Sequence, residues 1–253
     1  MLLLLSPAKS FDFDSPASTQ HFTEPRFVEE STRLIKKMGT FSKKKIGELM
    51  HISPELAALN VGRYKKWTPN PKKEATKQAI LAFNGEVFRG LNAKEMNEDE
   101  LQFAQNHLRI LSGLYGVLRP LDLMQPYRLE MGTKLKYYSY TNLYQFWGNK
   151  ITKQLNQDLG EGTCVVNLAS IEYYKSVKEA TLKAKVITPI FKDFSNGTYK
   201  VLMTYAKNAR GTMANYIIKN NITNPELLKS FDANGYVYNP ALSDEANWVF
   251  TRG

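Results

Sequence analysis

The sequence predicts an α/β protein of mixed α+β character that folds as a single domain over residues 1–253. Three observations support this prediction: an apolar run at the start, a middle region of helical patterns, and a last third rich in strand patterns. Hydrophobic residues make up 43% of the chain and aromatic residues 12%, which is typical of a packed globular core and not of disorder.

The first apolar run predicts a central strand, because four consecutive leucines at residues 2–5 are bounded by Ser6-Pro7. Helices should follow, since serine, asparagine or proline stands where each helical pattern begins. The predicted helices span residues 24–38, 43–50, 54 onward, 73–83, 97–111 and 143–159, with Ser42 and Ser53 as N-caps for the second and third.

The last third predicts a mostly antiparallel sheet that the first strand joins. Asn196-Gly197 lies between two strand patterns and is a strong hairpin signal. The predicted strands are residues 164–168, 185–191, 198–205, 235–238 and 248–250, with a helix at 211–219.

The charge balance restricts the classes of ligand. Lys and Arg number 34 against 24 Asp and Glu, giving a net charge of +10, which favours nucleic acid, a phosphorylated ligand or an anionic surface. The single cysteine, Cys164, excludes an internal disulfide and lies in an apolar run, as a buried small residue does. With no pattern of a signal peptide or membrane span, a cytosolic protein is expected.

Several chemistries lack their sequence signatures. No GxGxxG follows a strand, and neither a Walker lysine loop nor an HExxH pair is present, so no cofactor is predicted. His21, His51 and His107 are far apart and lack the spacing of metal ligands, so no metal site is predicted either.

Residues 111–131 carry the most informative pattern in the chain. Gly113 and Gly116 allow a sharp turn with exposed backbone N–H groups, and Arg119 and Arg128 follow. If helices flank this turn, it is a binding site for phosphate.

Two segments that follow predicted strands carry polar side chains. Lys9 lies just past the first strand, where sheets of this kind place ligands, although a solvated loop lysine is an equal alternative. Glu172, Tyr173 and Lys175 follow the strand at 164–168, with Asn167 and Ser170 beside them. Tyr173 and Lys175 could form a proton-transfer pair, or Lys175 a nucleophile, but an interfacial loop is the simpler reading.

Two further groups of charged residues have two interpretations each. In an extended segment, Arg128 and Glu130 face the same side. They form either an anion clamp with a nearby general base or a structural ion pair. Lys207 and Arg210 precede the predicted helix at 211–219, where they either bind an anion or merely decorate the helix.

Four motifs together resemble the YaaA peroxide-stress family over almost the whole chain. They are Ser6-Pro-Ala-Lys9, residues 111–131, Asn167-Leu-Ala-Ser170 with Glu172-Tyr-Tyr-Lys175, and Tyr205-Ala-Lys207 with Ala209-Arg-Gly211. The resemblance implies a family-specific single-domain fold with a mixed β-sheet, a block of helices and a helix-hairpin-helix at Ser112–Val117. It also implies a cytosolic bacterial protein that limits iron-dependent damage under peroxide stress, and a basic cleft that binds double-stranded DNA, drawing on Lys9, Arg128, Lys175, Lys207 and Arg210.

Three functions remain open from the sequence. The leading hypothesis is largely non-specific DNA binding. The second is an enzyme acting on nucleic acid, such as a damaged-base glycosylase or lyase with a lysine nucleophile and Glu130 or Glu172 as acid/base. Direct iron binding is the third, and the scattered histidines argue against it. The oligomeric state is not predicted.

Overall fold

Most strands of the computed structural model, which describes residues 1–160 and 164–253, have six residues or fewer, and the strand Lys185–Ser195 has eleven. Their bounds are β1 Leu2–Leu5, β2 Ser10–Phe11, β3 Lys77–Gln78, β4 Phe83–Asn84, β5 Leu108–Ser112, β6 Gly116–Leu118, β7 Leu123–Met124, β8 Cys164–Asn167, β9 Lys185–Ser195, β10 Thr198–Lys200, β11 Val237–Tyr238 and β12 Asn247–Arg252.

Most of the described α-helices lie between β1 and β5, others lie between β7 and β9, and the last of them follows β10. Their bounds are α1 Val28–Gly39, α2 Lys43–Met50, α3 Pro54–Lys66, α4 Ala79–Ala82, α5 Glu86–Leu91, α6 Glu98–His107, α7 Leu143–Trp147, α8 Lys150–Asp158, α9 Ile171–Tyr174 and α10 Met203–Lys219. Short 3-10 turns occupy Lys73–Ala75, Ala93–Glu95, Glu179–Thr181, Pro225–Ser230, Ala233–Gly235 and Pro240–Leu242.

The main sheet is mixed, with strand order β11-β12-β9-β8-β1-β5-β6 and β10 paired to β9. Strands β12, β9, β8, β1 and β5 are parallel, and β6, β10 and β11 pair antiparallel at the periphery. The expected mostly antiparallel sheet is therefore wrong. Parallel neighbours need a crossover, which helices supply between β1 and β5 and between β9 and β12.

The first strand lies at the centre of the sheet, as predicted. Leu3 pairs with Leu108 of β5 on one side and with Val166 of β8 on the other. All four leucines of β1 are buried, which explains why the run shows no alternation of polar and apolar residues. One hydrophobic cluster extends from this strand to Phe250 of β12.

Local signals predicted several elements well. Ser42 and Ser53 accept the backbone N–H groups of Lys45 and Leu56, which confirms both N-caps. The hairpin at Asn196-Gly197 joins β9 to β10, and β11 pairs with β12 as a closing strand pair. Residues 143–159 form two helices instead of one.

The strand predicted at residues 198–205 is wrong beyond Lys200. Helix α10 begins at Met203, eight residues before the predicted start, and its buried face includes Ala206 and Ala209. Lys207 and Arg210 therefore lie inside a helix and not beside its N-terminus.

The turn with Gly113 and Gly116 connects β5 to β6, where Ser112 pairs with Gly116. Strands flank it, so the helix-hairpin-helix expected at Ser112–Val117 is wrong. Residues 112–117 are buried. A Cβ on Gly113 would lie 2.2 Å from the carbonyl oxygen of Leu129, and Gly116 has φ +68° against the ring of Trp147. The two glycines therefore allow the Leu129 backbone and the Trp147 ring to pack against the turn. The backbone of the turn is buried and cannot contact a phosphate.

We expect Gly113→Ala to lower the free energy of unfolding by about 1–3 kcal/mol or more, because the new methyl group meets backbone that cannot move aside. The matched control is Gly62→Ala in α3, where a Cβ meets nothing within 4 Å and should add up to about 1 kcal/mol of stability. Urea unfolding of both variants measures this difference, and a Gly113→Ala protein as stable as the parent would contradict it.

Candidate anion-binding site

The carboxyl ends of β1 and β8 lie side by side at the centre of the sheet. After β1 the chain continues to β5 on one side, and after β8 it continues to β9 on the other. Such a switch in strand order leaves a crevice where parallel sheets bind ligands. The backbone N–H of Ser170 donates to the Ser6 hydroxyl at 2.8 Å and fixes the two strand exits together.

A shallow cleft opens at this crevice, with Lys9 and Glu130 at its mouth. Its lining residues are Pro7, Ala8, Lys9, Tyr127, Arg128, Leu129, Glu130 and Tyr173, and the name "cleft" refers to this set below. The sequence interpretation that placed Lys9 at a strand exit is consistent with this position.

Glu130 is the carboxylate that holds the cations of the cleft. Its Oε2 lies 2.7 Å from Lys9 Nζ, and its Oε1 accepts a hydrogen bond from Arg128 Nη2 at 2.8 Å. The Arg128 side chain is 15% exposed and Lys9 62%, so the guanidinium forms the floor and the ammonium the rim. Arg128 and Glu130 are an ion pair, and both face the cleft.

Arg128 retains unused capacity to donate. Its Nε atom is buried and has no hydrogen-bond partner. Among the side chains that the structure describes, no other buried nitrogen or oxygen lacks one. Buried polar groups are normally paired, so this atom calls for an explanation. The Arg128 backbone carbonyl accepts a hydrogen bond from the Tyr64 hydroxyl, which attaches helix α3 to the cleft segment.

Arg63, the neighbour of Tyr64 in α3, brings a third cation. Its guanidinium lies 5.4 Å from the ring centre of Phe11, which packs in turn on Tyr127 of the cleft. Burial lowers the pKa of Arg63, and the nearby Arg128 charge lowers it further against an opposing effect of Tyr64. The sequence analysis missed Arg63, since nothing in the sequence relates it to residues 127–130.

The residues of α9 and its end have separate partners. Glu172 Oε1 accepts the backbone N–H of Gly132 at 2.9 Å, and Lys175 Nζ lies 5.4 Å from the centre of the Tyr144 ring. Tyr173 instead lines the cleft, and burial raises the pKa of its hydroxyl well above the usual value. The hypothetical proton-transfer pair of Tyr173 and Lys175 is therefore not assembled.

Asn167 and Ser170 mainly hold the backbone. Asn167 Oδ1 accepts the N–H of Ala169 at 3.1 Å, and the Ser170 hydroxyl lies 3.2 Å from that of Ser6. Both residues stabilise the strand exits rather than line the cleft.

Arg119 has a structural ion pair. Its Nη2 lies 2.9 Å from Asp122 Oδ1 and also donates to the Glu24 carbonyl at 2.9 Å. The Asp122 side chain is fully buried, and burial raises its pKa although Thr23 and Arg119 oppose this effect. Arg119 is thus engaged with a buried carboxylate and lies outside the cleft lining.

Lys207 and Arg210 of α10 are likewise outside the cleft lining. Lys207 is exposed, while Arg210 is half-buried and burial lowers its pKa. Helix α10 packs closely on α5. The structure therefore gathers Lys9, Arg128 and Glu130, and places these two cations on a separate element.

Helices α2 and α3 form a helix–turn–helix arrangement that the sequence analysis did not connect. The two helices pack together across a turn of three residues, beginning with His51 at φ 52°. Ile52 N–H caps the first helix through the Gly47 carbonyl. Lys43, Lys44 and Lys45 are exposed at the start of α2. The sequence signal for two consecutive helices was the pair of N-cap serines, which stand eleven residues apart.

Within residues 1–160 and 164–253, no three His, Cys, Asp or Glu side chains come together as metal ligands. No helix in the same ranges has the length and apolar character needed to cross a membrane.

Comparison with known proteins gives a consistent result over the full chain. A family model described as "Peroxide stress protein YaaA" matches residues 1–242. UPF0246 proteins of Janthinobacterium sp. (strain Marseille) and Ralstonia pickettii (strain 12J) are each 53% identical to this chain over 254 residues. Both matches cover 100% of this chain, with 98% of the Janthinobacterium protein and 99% of the Ralstonia protein. A UPF0246 protein of Cupriavidus metallidurans is 49% identical over 257 residues, covering 100% of this chain and 98% of its own.

We expect Arg119→Ala to destabilise the protein by about 3 kcal/mol at pH 8, because it leaves the buried Asp122 carboxylate without its counter-ion. The loss of Arg119 also raises the folded pKa of Asp122 further above the unfolded value of 3.8. The penalty should therefore shrink as pH falls through the folded pKa, since the protonated side chain needs no counter-ion.

Urea unfolding at pH 8 and pH 4.5, each relative to the parent, measures this dependence. The control is Arg89→Ala, which removes an exposed ion pair with Glu86 and should cost under about 1 kcal/mol at either pH. An equal penalty for Arg119→Ala at both pH values would contradict the assignment.

Proposed function

The chain belongs to the YaaA family of peroxide stress proteins, and from that premise we propose that it acts in the cytosol by binding double-stranded DNA through its phosphates. The binding is largely independent of sequence, because contacts to phosphates position a protein without reading bases. Protection of DNA from iron-dependent damage is the role that such binding serves.

The observation that carries this proposal is the attachment of α3 to the cleft. Tyr64 donates to the Arg128 carbonyl, so the last turn of α3 places Arg63 beside the cleft and the exposed Lys65 and Lys66 next to it in sequence. Gln125 holds the following residue, Thr68, through two hydrogen bonds of 3.1 and 2.7 Å. The cations of α3 and of the cleft thus lie on connected parts of the surface.

The α2–α3 pair supplies the second support. The turn at His51–Ser53 leads into the positive end of the α3 dipole, where backbone N–H groups attract phosphate. Lys43, Lys44 and Lys45 add exposed charge on the partner helix. In this proposal α2 and α3 replace Ser112–Val117 as the DNA-binding hairpin, and the cleft cations extend the contact.

DNA affinity should fall steeply with salt, with a log–log slope of about −0.9 for each phosphate neutralised. Replacing Lys43, Lys44 and Lys45 together by Gln should weaken binding and make that slope shallower by up to about 0.9 for each lysine in contact with a phosphate. Fluorescence anisotropy with a mixed-sequence duplex at several salt concentrations measures both quantities.

The matched control removes the same charge at the opposite edge of the sheet. Lys183 and Lys185 lie at the amino end of β9, and Lys219 ends α10. Replacing Lys183, Lys185 and Lys219 together by Gln should leave the slope of log affinity against log salt concentration as in the parent. Equal effects of the two triple variants would mean that net charge alone acts, and no loss in the first would refute α2–α3 as the DNA-binding element.

A lysine-dependent lyase or glycosylase is the second candidate function. It is favoured by the position of Lys9, whose exposed amine contacts a carboxylate at the mouth of the cleft. The ion-paired ammonium must first give a proton to a base, for which Glu130 is the group in contact. Its nitrogen can then attack C1′ of the sugar, where the bond to a damaged base breaks as the base leaves, or where the aldehyde of an abasic site loses water to give a Schiff base.

Borohydride trapping distinguishes the two candidates. A pure DNA-binding protein gives no covalent adduct with duplexes that carry an abasic site or a damaged base. A trapped adduct that persists in Lys175→Ala and disappears in Lys9→Ala would establish the enzymatic function instead, with a Schiff base on Lys9 as the species reduced.

A further inference from the structure

The cleft contains more positive charge than its own carboxylate neutralises. Lys9 and Arg128 both contact Glu130, and Arg63 lies within reach of the Arg128 charge. In the described part of the chain, Lys9, Arg63 and Arg128 therefore have one carboxylate ion-pair partner among them, Glu130. Glu172, on the adjacent helix α9, accepts the Gly132 amide and, among the described residues, forms no ion pair with these three cations.

The excess of two positive charges matches a particular ligand charge. A phosphate diester in a DNA backbone carries one negative charge, whereas a phosphate monoester carries about −1.5 to −2 near pH 7, with a second pKa of about 6. Guanidinium groups bind such a dianion through paired, charge-assisted hydrogen bonds.

We propose that Lys9, Arg63 and Arg128 form a subsite for a phosphate monoester, and that Arg128 Nε, left without a partner, is one of its donors. This inference rests on the proposed function, and it makes the terminal phosphate of a DNA strand the group that enters the cleft while α2 and α3 hold the duplex. A free mononucleotide carries the same chemical group, so the two sources must be separated by experiment.

The first experiment compares duplexes that differ only in a 5′-phosphate, a 3′-phosphate or no terminal phosphate, together with a deoxynucleoside monophosphate and inorganic phosphate. Tighter binding of a phosphorylated duplex, by about tenfold or more, is expected because charge-assisted hydrogen bonds are gained. Tight binding of the mononucleotide with no preference among duplexes would identify the free nucleotide as the source. Equal binding of all duplexes and no binding of the small phosphates overturns the proposal.

Variants separate the subsite from the duplex surface. Arg63→Gln and Lys9→Gln should abolish the preference for a terminal phosphate. Because Lys9 is largely exposed and Arg63 is half-buried, both variants remain usable if Arg128→Gln fails to fold. Lys183→Gln, which removes one exposed cation elsewhere, should leave the preference intact. Glu130→Gln should have the opposite effect on phosphate affinity: it should tighten phosphate binding, because it removes the carboxylate that competes for Lys9 and Arg128. Retention of the preference in Arg63→Gln and Lys9→Gln overturns the assignment.

The pH dependence gives an independent readout. The titratable and charged groups that line the cleft are Lys9, Arg128, Glu130 and the hydroxyls of Tyr127 and Tyr173, and Arg63, Tyr64 and Glu172 lie next to them. Burial raises the pKa of each tyrosine, so these hydroxyls stay neutral between pH 5 and pH 7. A preference that falls between pH 7 and pH 5 therefore reports the ligand losing its second charge. A preference that is unchanged or rises on acidification overturns the monoester assignment.

The two proposals fail in different ways. Loss of duplex binding in the Lys43, Lys44 and Lys45 variant, with phosphate binding retained, leaves both standing. No duplex binding by the parent refutes the proposed function, and direct titration of inorganic phosphate by calorimetry still tests the subsite. Duplex binding without any effect of a terminal phosphate refutes the subsite alone.

Discussion

The close contact between the β5–β6 turn and the segment of residues 125–131 is the constraint on which the site depends. Gly113 leaves room for the Leu129 carbonyl, and the Ser112 hydroxyl lies 2.6 Å from that of Tyr127. The Tyr115 hydroxyl accepts the Gln125 N–H on the same stretch. Because this segment runs directly against the central sheet, Arg128 and Glu130 meet Lys9 at the end of β1.

The distribution of ion pairs distinguishes structural cations from available ones. Arg109 is buried against Asp158 at 2.5 Å, and Arg119 is held by Asp122. These carboxylates compensate charge inside the fold, where an unpaired cation would be costly. The cleft and the neighbouring Arg63 differ, since Arg63, Lys9 and Arg128 together have one carboxylate among them. A fold that pairs its buried arginines with carboxylates and leaves an excess of cations at a strand-order switch has the features of an anion-binding site.

Membership of the peroxide stress family gives this arrangement its setting. In the proposed function nucleic acid presents two kinds of phosphate, and the molecule has two kinds of basic surface: the exposed lysines of α2 and α3, and the partly buried guanidinium groups of Arg63 and Arg128. Exposed lysines suit the screened, mobile contacts of a duplex backbone. Partly buried arginines suit one fixed anion, because less water competes for their hydrogen bonds.

The sequence by itself determined the elements whose causes lie within a few residues: the buried strand at residues 2–5, the N-caps Ser42 and Ser53, and the hairpin at Asn196-Gly197. It also identified residues 111–131 as the most informative segment. It wrongly assigned Gly113 and Gly116 to a phosphate-binding turn, whereas they allow close packing at the buried β5–β6 turn. Strand direction, the burial of the β5–β6 turn, and the meeting of Lys9 with Glu130 were decided only by the tertiary structure. Each of these depends on contacts between residues far apart in the chain, which leave no periodic or local signal to read.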